Sequence, residues 1–228
     1  SPPPSQIGDT TWPLRDNPHA GVATINQAEN ALSVTGTQLG TVTGGNAILS
    51  TGPLGPPFAS GDRVLANQQF ATGSAGAIAN TRFLNGDEGG GLDASTFTIA
   101  DNVTSADAAA NRALNTATVT AAAGHVGNAG LVNTQISAAN VTASATTTAG
   151  FTVAGSPLAP AIGDAALAID GNQTVAFARG TAADNKLTLG GTSGSGIADV
   201  TAGRFDARVN AAAALLNSQS NYGAVTAT

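Results

Sequence analysis

The chain writes one thirteen-residue phrase twice: LVNTQISAANVTA at 131–143 and LLNSQSNYGAVTA at 215–227. The two align without a gap, 84 positions apart (215 − 131). A unit that recurs in this way cannot bury its apolar face alone. It is buried by stacking on its own copies, so repetition constrains the fold more than any other feature here.

Two short words recur through the chain. The first, L-x-N-x-Q, occurs as Leu65-Asn67-Gln69, Leu131-Asn133-Gln135 and Leu215-Asn217-Gln219. Six residues after the Gln, the last two copies read Val141-Thr142-Ala143 and Val225-Thr226-Ala227, and the first reads Ala75-Gly76-Ala77. The second word places Ala, Asn and two apolar residues at alternate positions: Ala28-Asn30-Leu32-Val34, Ala113-Asn115-Ala117-Val119 and Ala183-Asn185-Leu187-Leu189. Its last two copies are 70 apart, and that offset also aligns Ile99 with Ile169, Asn102 with Asn172 and Thr104 with Thr174. The words alternate, which predicts three modules at roughly 22–80, 96–145 and 166–228 within a single β domain, 22–228. The insertions STGPLGPPFASG (50–61), NGDEGGG (85–91) and SPLAPAIG (156–163) read as loops.

Both words have period two, the signature of a strand. Leu, Asn and Gln of the first word therefore share one face, as do Ala, Asn and the apolar residues of the second. An inward Asn or Gln is costly alone, because an unpaired buried amide loses its water. Stacked on the same residue in the next copy, it joins a hydrogen-bonded ladder. The rival reading is helical: ADAAANRAL (106–114) and VNAAAALLNSQ (209–219) are Ala-rich. Asn, Thr and Val interrupt both, and the remainder is too rich in Thr, Val, Asn and Gly for a helical protein. The expected fold is all-β, a repeat-built β-solenoid or stacked-strand architecture, with a pilin-like β-sandwich as the alternative.

Composition narrows the function. The 228 residues carry a net charge of −6 with only eight Lys and Arg, which argues against nucleic acid. Hydrophobic residues make up 42%, too many for a disordered chain. No apolar run is long enough for a membrane-spanning helix. With no Cys, no disulfide framework is available. The chain opens SPPPSQ, without Met, as a secreted protein does once its signal peptide is removed. An extracellular or cell-surface location is expected.

Sites of chemistry are sparse. His19 and His125 have no Cys, Asp or Glu at metal-ligand spacing. GGTSGSG (190–196) lacks the G-K-[ST] ending of a phosphate loop. Asp87, Glu88 and Asp93 flank a glycine run and are weak calcium candidates, since their spacing matches no calcium motif and a solvated acidic loop explains them as well. Of the N-x-T sequons at Asn102, Asn140 and Asn172, the first and last sit at equivalent repeat positions and follow from the repeat itself, and such triplets also arise by chance in an Asn- and Thr-rich chain. No cofactor is expected, and no enzyme: a β-helical lyase or hydrolase needs paired carboxylates on adjacent rungs. The Pro-rich segment 1–21 reads as an arm outside the strands, because proline cannot donate to a β ladder. The plainer reading is a wrapped or disordered tail; the sharper one is an arm that docks on a neighbouring subunit with Trp12 as its anchor, and Val225 marks a C-terminal strand open to pairing, so both residues are candidates for assembly.

GNQTVAFARGTAADNKLTL (171–189) followed by LLNSQSNYGAVTA resembles repeats of secreted alphaproteobacterial surface proteins, including the holdfast attachment proteins. More loosely it resembles curli-type fibre subunits, which also hold Asn, Gln and Gly at fixed repeat positions. The curli spacing itself, a repeat of about 20 residues, is not reproduced. The resemblance implies a secreted, fibre-forming or surface-anchoring protein without enzymatic residues. The expected function is a structural subunit of an extracellular filament or attachment fibre, a homo-oligomer growing by β-strand addition. The alternative is an adhesin that recognises carbohydrate, a cell-surface polysaccharide included.

Overall fold

The fold is that of a computed structural model, which describes residues 7–8, 11–39, 46–48, 58–85, 92–93, 96–125, 127–151, 166–192, 198–202 and 207–228. The chain makes three passes, or rungs. The first holds β1 (Ile7–Gly8), β2 (Thr11–Arg15), β3 (Pro18–Gly36), β4 (Asn46–Ile48), β5 (Phe58–Ser60), β6 (Arg63–Ala71) and β7 (Ser74–Asn85). The second holds β8 (Leu92–Asp93), β9 (Thr96–Ala100), β10 (Val103–His125), β11 (Ala129–Ser137) and β12 (Asn140–Phe151). The third holds β13 (Ala166–Asp170), β14 (Gln173–Thr192), β15 (Ala198–Ala202), β16 (Ala207–Ala211), β17 (Ala213–Asn221) and β18 (Val225–Ala227).

Equivalent strands of successive rungs stack in parallel, always with the second rung in the middle: β2-β9-β13, β3-β10-β14, β6-β11-β17 and β7-β12-β18. This is a β-solenoid-like stack, built in the register that the two words define. Asn30 pairs with Asn115 and Asn115 with Asn185; Asn67 pairs with Asn133 and Asn133 with Asn217. Val141 pairs with Ala75 and Val225. Both Ala-rich stretches are strands, not helices: 106–114 lies within β10, and 209–219 spans β16 and β17. Burial of one face, which a stack provides for every copy, overrides the helical preference of alanine.

Each rung is flattened into two layers. The long strand (β3, β10 or β14) forms one, and the two shorter strands that follow it form the other. β10 changes its inward face part-way. Ala106 and Ala108 are fully buried before Ala110, and Asn115 and Val119 after it, so the inward parity switches from even to odd. Ala110 is also the residue that the β10 pairing skips on both sides, with the offsets to β3 and β14 unchanged. The bend is therefore stacked through all three rungs.

The core between the layers is mostly methyl groups. Ala71, Ala75, Ala77, Ala79, Ala139, Val141 and Ala143 of the layer of shorter strands pack in one cluster with Ala106, Ala108 and Ala110 of the long strand. At Gly21, in the same column as Ala106, not even a methyl fits, because it would meet the backbone of Ile78. Such a core has no slack. Ala108→Leu is expected to destabilise the fold by about 3 kcal/mol, the upper end of the overpacking range. Urea unfolding checks this, with the exposed Leu114→Ala as the control expected to shift the midpoint little.

Two features depart from the sequence reading. Segment 1–21 is not a separate arm from Thr11 onward: β2 pairs with β9, and β3 begins at Pro18. Pro13 is accommodated because β2 is the edge strand of its sheet. The insertion at 50–61 is not wholly a loop either. Its end forms β5, which pairs antiparallel with β15 from the third rung's insertion, giving a side sheet of order β16-β15-β5-β4. The side sheet skips the middle rung and covers the outside of the β6-β11-β17 stack. Val132 and Ala214 are buried there against Val64, Ala66, Val209 and Leu216. All nine residues of β11 are consequently buried. Residues 86–91 and 152–165 lie outside the described residues, as do the loop readings on them.

Candidate functional site

The inward polar residues of the repeat form columns of amides. In the first, Asn30 Nδ2 donates to Asn115 Oδ1 (2.8 Å) and Asn115 Nδ2 to Asn185 Oδ1 (2.7 Å). In the second, Asn67 Nδ2 donates to Asn133 Oδ1 (2.6 Å) and Asn133 Nδ2 to Asn217 Oδ1 (2.7 Å). Cross-layer bonds from Asn30 to Asn67 and from Asn115 to Asn133 join the two columns. A glutamine column runs beside them. Gln219 Nε2 donates to Gln135 Oε1 (2.9 Å), and Gln135 Nε2 to Gln69 Oε1 (2.5 Å). Asn115, Asn133 and Gln135 are fully buried, yet their amides are paired. Among the described residues, Thr134 Oγ1 is the one buried side-chain oxygen without a partner.

A further asparagine column was only half legible. Asn102 and Asn172 align by offset, but their first-rung member is Asn17. Asn17 Nδ2 donates to Asn102 Oδ1 (3.0 Å) and Asn102 Nδ2 to Asn172 Oδ1 (2.8 Å). Each follows a residue in the left-handed region, Asp16 (φ 55°), Asp101 (φ 56°) and Gly171 (φ 65°), which turns the chain into the long strand. Asp and Gly tolerate that conformation better than other residues. The signal was the dipeptide Asp-Asn or Gly-Asn between two strands. Asn102 is 2% exposed and engaged in this column.

The ladders have a direction. The three asparagine columns donate from the first rung toward the third, and the glutamine column donates the other way. The layers are also staggered by half a rung. A chain of hydroxyls shows it: Thr174 Oγ1 donates to Thr147, Thr147 to Thr104 and Thr104 to Thr81. It alternates between layers while descending from the third rung to the first. Gln69 and Gln135 repeat the step, each reaching a backbone carbonyl of the opposite layer one rung on, Arg112 and Ala182.

The stagger leaves the two ends of the coil unlike. At the third-rung end, the inward row of β17 has no strand of the long layer over it. Leu215 is 38% exposed, and Asn217 and Gln219 are exposed as well, whereas Leu131, Asn133 and Gln135 are fully buried. At the first-rung end a notch of about 400 Å³ opens between β3 and β6, lined by Asn26, Gln27, Asn67, Gln68, Gln69 and Phe70.

The charged groups that the structure brings together lie on the outer surface. Asp107, before the bend in β10, meets Arg112 after it, and Arg179 of the third rung at 2.6 Å. Arg179 also lies over the ring of Phe177, 5.0 Å from its centre. Burial alone would raise the Asp107 pKa; the hydrogen bonds and positive charges of Arg112 and then Arg179 outweigh it and hold it below the ordinary value. A lowered folded-state pKa contributes stability above the unfolded value of about 3.9 and loses it as the pH falls through the folded value. Asp107→Asn should therefore narrow the stability difference between pH 6 and pH 3, seen as converging melting temperatures. At pH 7 it should cost under about 1 kcal/mol, since the group is partly exposed.

No metal centre is assembled: among the described residues no three His, Cys, Asp or Glu side chains come together. Asp87 and Glu88 lie outside the described residues, and Asp93 lies in β8, paired with Gly8. His19 lies exposed in β3, paired with Thr104. Trp12 lies in β2, paired with Phe97. Val225 opens β18 and is 42% exposed. Among the described residues no helix is long and apolar enough to cross a membrane. Compared with protein-family models, with curated proteins and with solved structures, the chain matches none.

Proposed function

We propose that this protein is a structural subunit of an extracellular filament or surface-attachment fibre, growing by addition of one copy's strands to the next. One observation carries the reading. The inward Leu215, Asn217 and Gln219 lie open to solvent at the third-rung end, while the same positions one rung earlier are fully buried. An open row of amides along a strand edge is a template for pairing with a further strand. The low charge density supports the reading too, since little repulsion opposes close packing of copies.

The test is negative-stain electron microscopy of the native protein over a range of concentrations. Unbranched filaments a few nanometres wide are expected. Isolated particles at every concentration would sink the proposal and turn attention to an adhesin that binds carbohydrate.

A further inference from the structure

We infer that the notch between β3 and β6 receives the Asn217–Ser220 segment of a second copy, so that copies stack head to tail in one fixed register. The inference rests on the filament reading and specifies its interface.

The register follows from the internal pairing. Asn185 and Asn30 flank Asn115, and Asn217 and Asn67 flank Asn133. Continuing the stack by one rung puts the next copy's Asn30 on Asn185, its Asn67 on Asn217 and its Gln69 on Gln219. The notch lining at Asn67, Gln68, Gln69 and Phe70 is the set of positions that this register places beside Asn217, Ser218, Gln219 and Ser220. The half-rung stagger makes the ends complementary: β17 projects at one end, and β3 projects at the other.

Three further observations select head-to-tail stacking over a two-fold dimer. The first is ladder direction. The third-rung end presents Asn185 Nδ2 and Asn217 Nδ2 as donors, and the first-rung end presents Asn30 Oδ1 and Asn67 Oδ1 as acceptors. Head to tail, donors meet acceptors. In a dimer of two third-rung faces, donors meet donors. The glutamine column runs the other way and also closes, with the next copy's Gln69 Nε2 donating to Gln219 Oε1. Gln219 Nε2 then reaches the next copy's Gln27 carbonyl, as Gln135 reaches that of Ala182. The second is charge: the same register puts exposed Asp170 beside the next copy's exposed Arg15, since both align with Ala100. Asp184 meets the next copy's Glu29 in this register, with Lys186 two residues away on the same face. The third is apolar: Leu14 and Ile169 are 37% and 54% exposed, and Ile99 between them is 2%. Stacking gives each outer residue the neighbour that it lacks.

The absence of native cysteine makes the register testable by disulfides. Val22 and Phe177 are both exposed, and they lie on either side of Asp107. Within one chain two strand spacings separate them, roughly 9.5 Å, beyond the ~7 Å limit for a disulfide. Between stacked copies they become direct neighbours. The double variant Val22→Cys/Phe177→Cys, assembled and then oxidised, is expected to give a ladder of covalent multimers on a non-reducing gel. Val22→Cys/Gln173→Cys, four residues out of register, is expected to stay largely monomeric. Filaments without a ladder, or equal ladders from both pairs, would overturn the register and leave the filament reading standing. Disulfide dimers from the single variant Phe177→Cys would point to opposed third-rung faces and overturn it too. A protein that never assembles would overturn both readings.

Discussion

Replacing Asn133 with leucine should destabilise the subunit by about 3–5 kcal/mol, although the two side chains are close in size. Asn133 accepts from Asn67 and Asn115 and donates to Asn217, and it is fully buried. Leucine removes all three bonds and leaves the buried Asn67 amide without its acceptor, at about 1–3 kcal/mol for each orphaned group. The same substitution at Asn217 should cost under about 1 kcal/mol, because that residue is exposed and water replaces the lost partner. Replacing Asn67, Asn133 and Asn217 together should cost less than Asn133 alone plus the two ends, since no member of that column is then stranded. Chemical denaturation midpoints for the singles and the triple decide it. Equal effects at Asn133 and Asn217 would show that the ladder does not act as a unit.

The second large effect falls on assembly. Gln219→Lys should leave the isolated subunit within about 1 kcal/mol of the parent, because position 219 is exposed and the ammonium can still donate to Gln135 Oε1. In the stacked state that ammonium would be enclosed by the next copy's β3 and β6 with no carboxylate in the notch lining. An enclosed unpaired charge costs several kcal/mol. The concentration at which filaments pellet should rise at least about 100-fold, equivalent to roughly 2.8 kcal/mol. Gln69→Lys makes the contrast: Gln69 is 7% exposed and bonded to Gln135, so the subunit itself should unfold more easily. Unchanged assembly of Gln219→Lys would exclude the third-rung face as the growing end.

What the sequence could carry was whatever repeats. The period-two words gave strands, and their offsets gave the register of three parallel stacks, because identical amides are satisfied best by one another. The Asn17 column was missed because its signal is a dipeptide in a turn. The side sheet was invisible because β5 and β15 pair once, antiparallel, across a skipped rung, and nothing in either segment repeats the other. A partial signal was present: Val132 and Ile136 are apolar on the face of β11 opposite Leu131, as in a strand buried on both sides.

Taken alone, then, the sequence determined the strand class, the stacking register and the pairing of the amides, all local rules of side-chain alternation and hydrogen-bond satisfaction applied copy by copy. Only the tertiary structure decided the bend at Ala110, the half-rung stagger and the different ends that follow from it. Those depend on how two layers of alanines close on each other, which no single strand can specify.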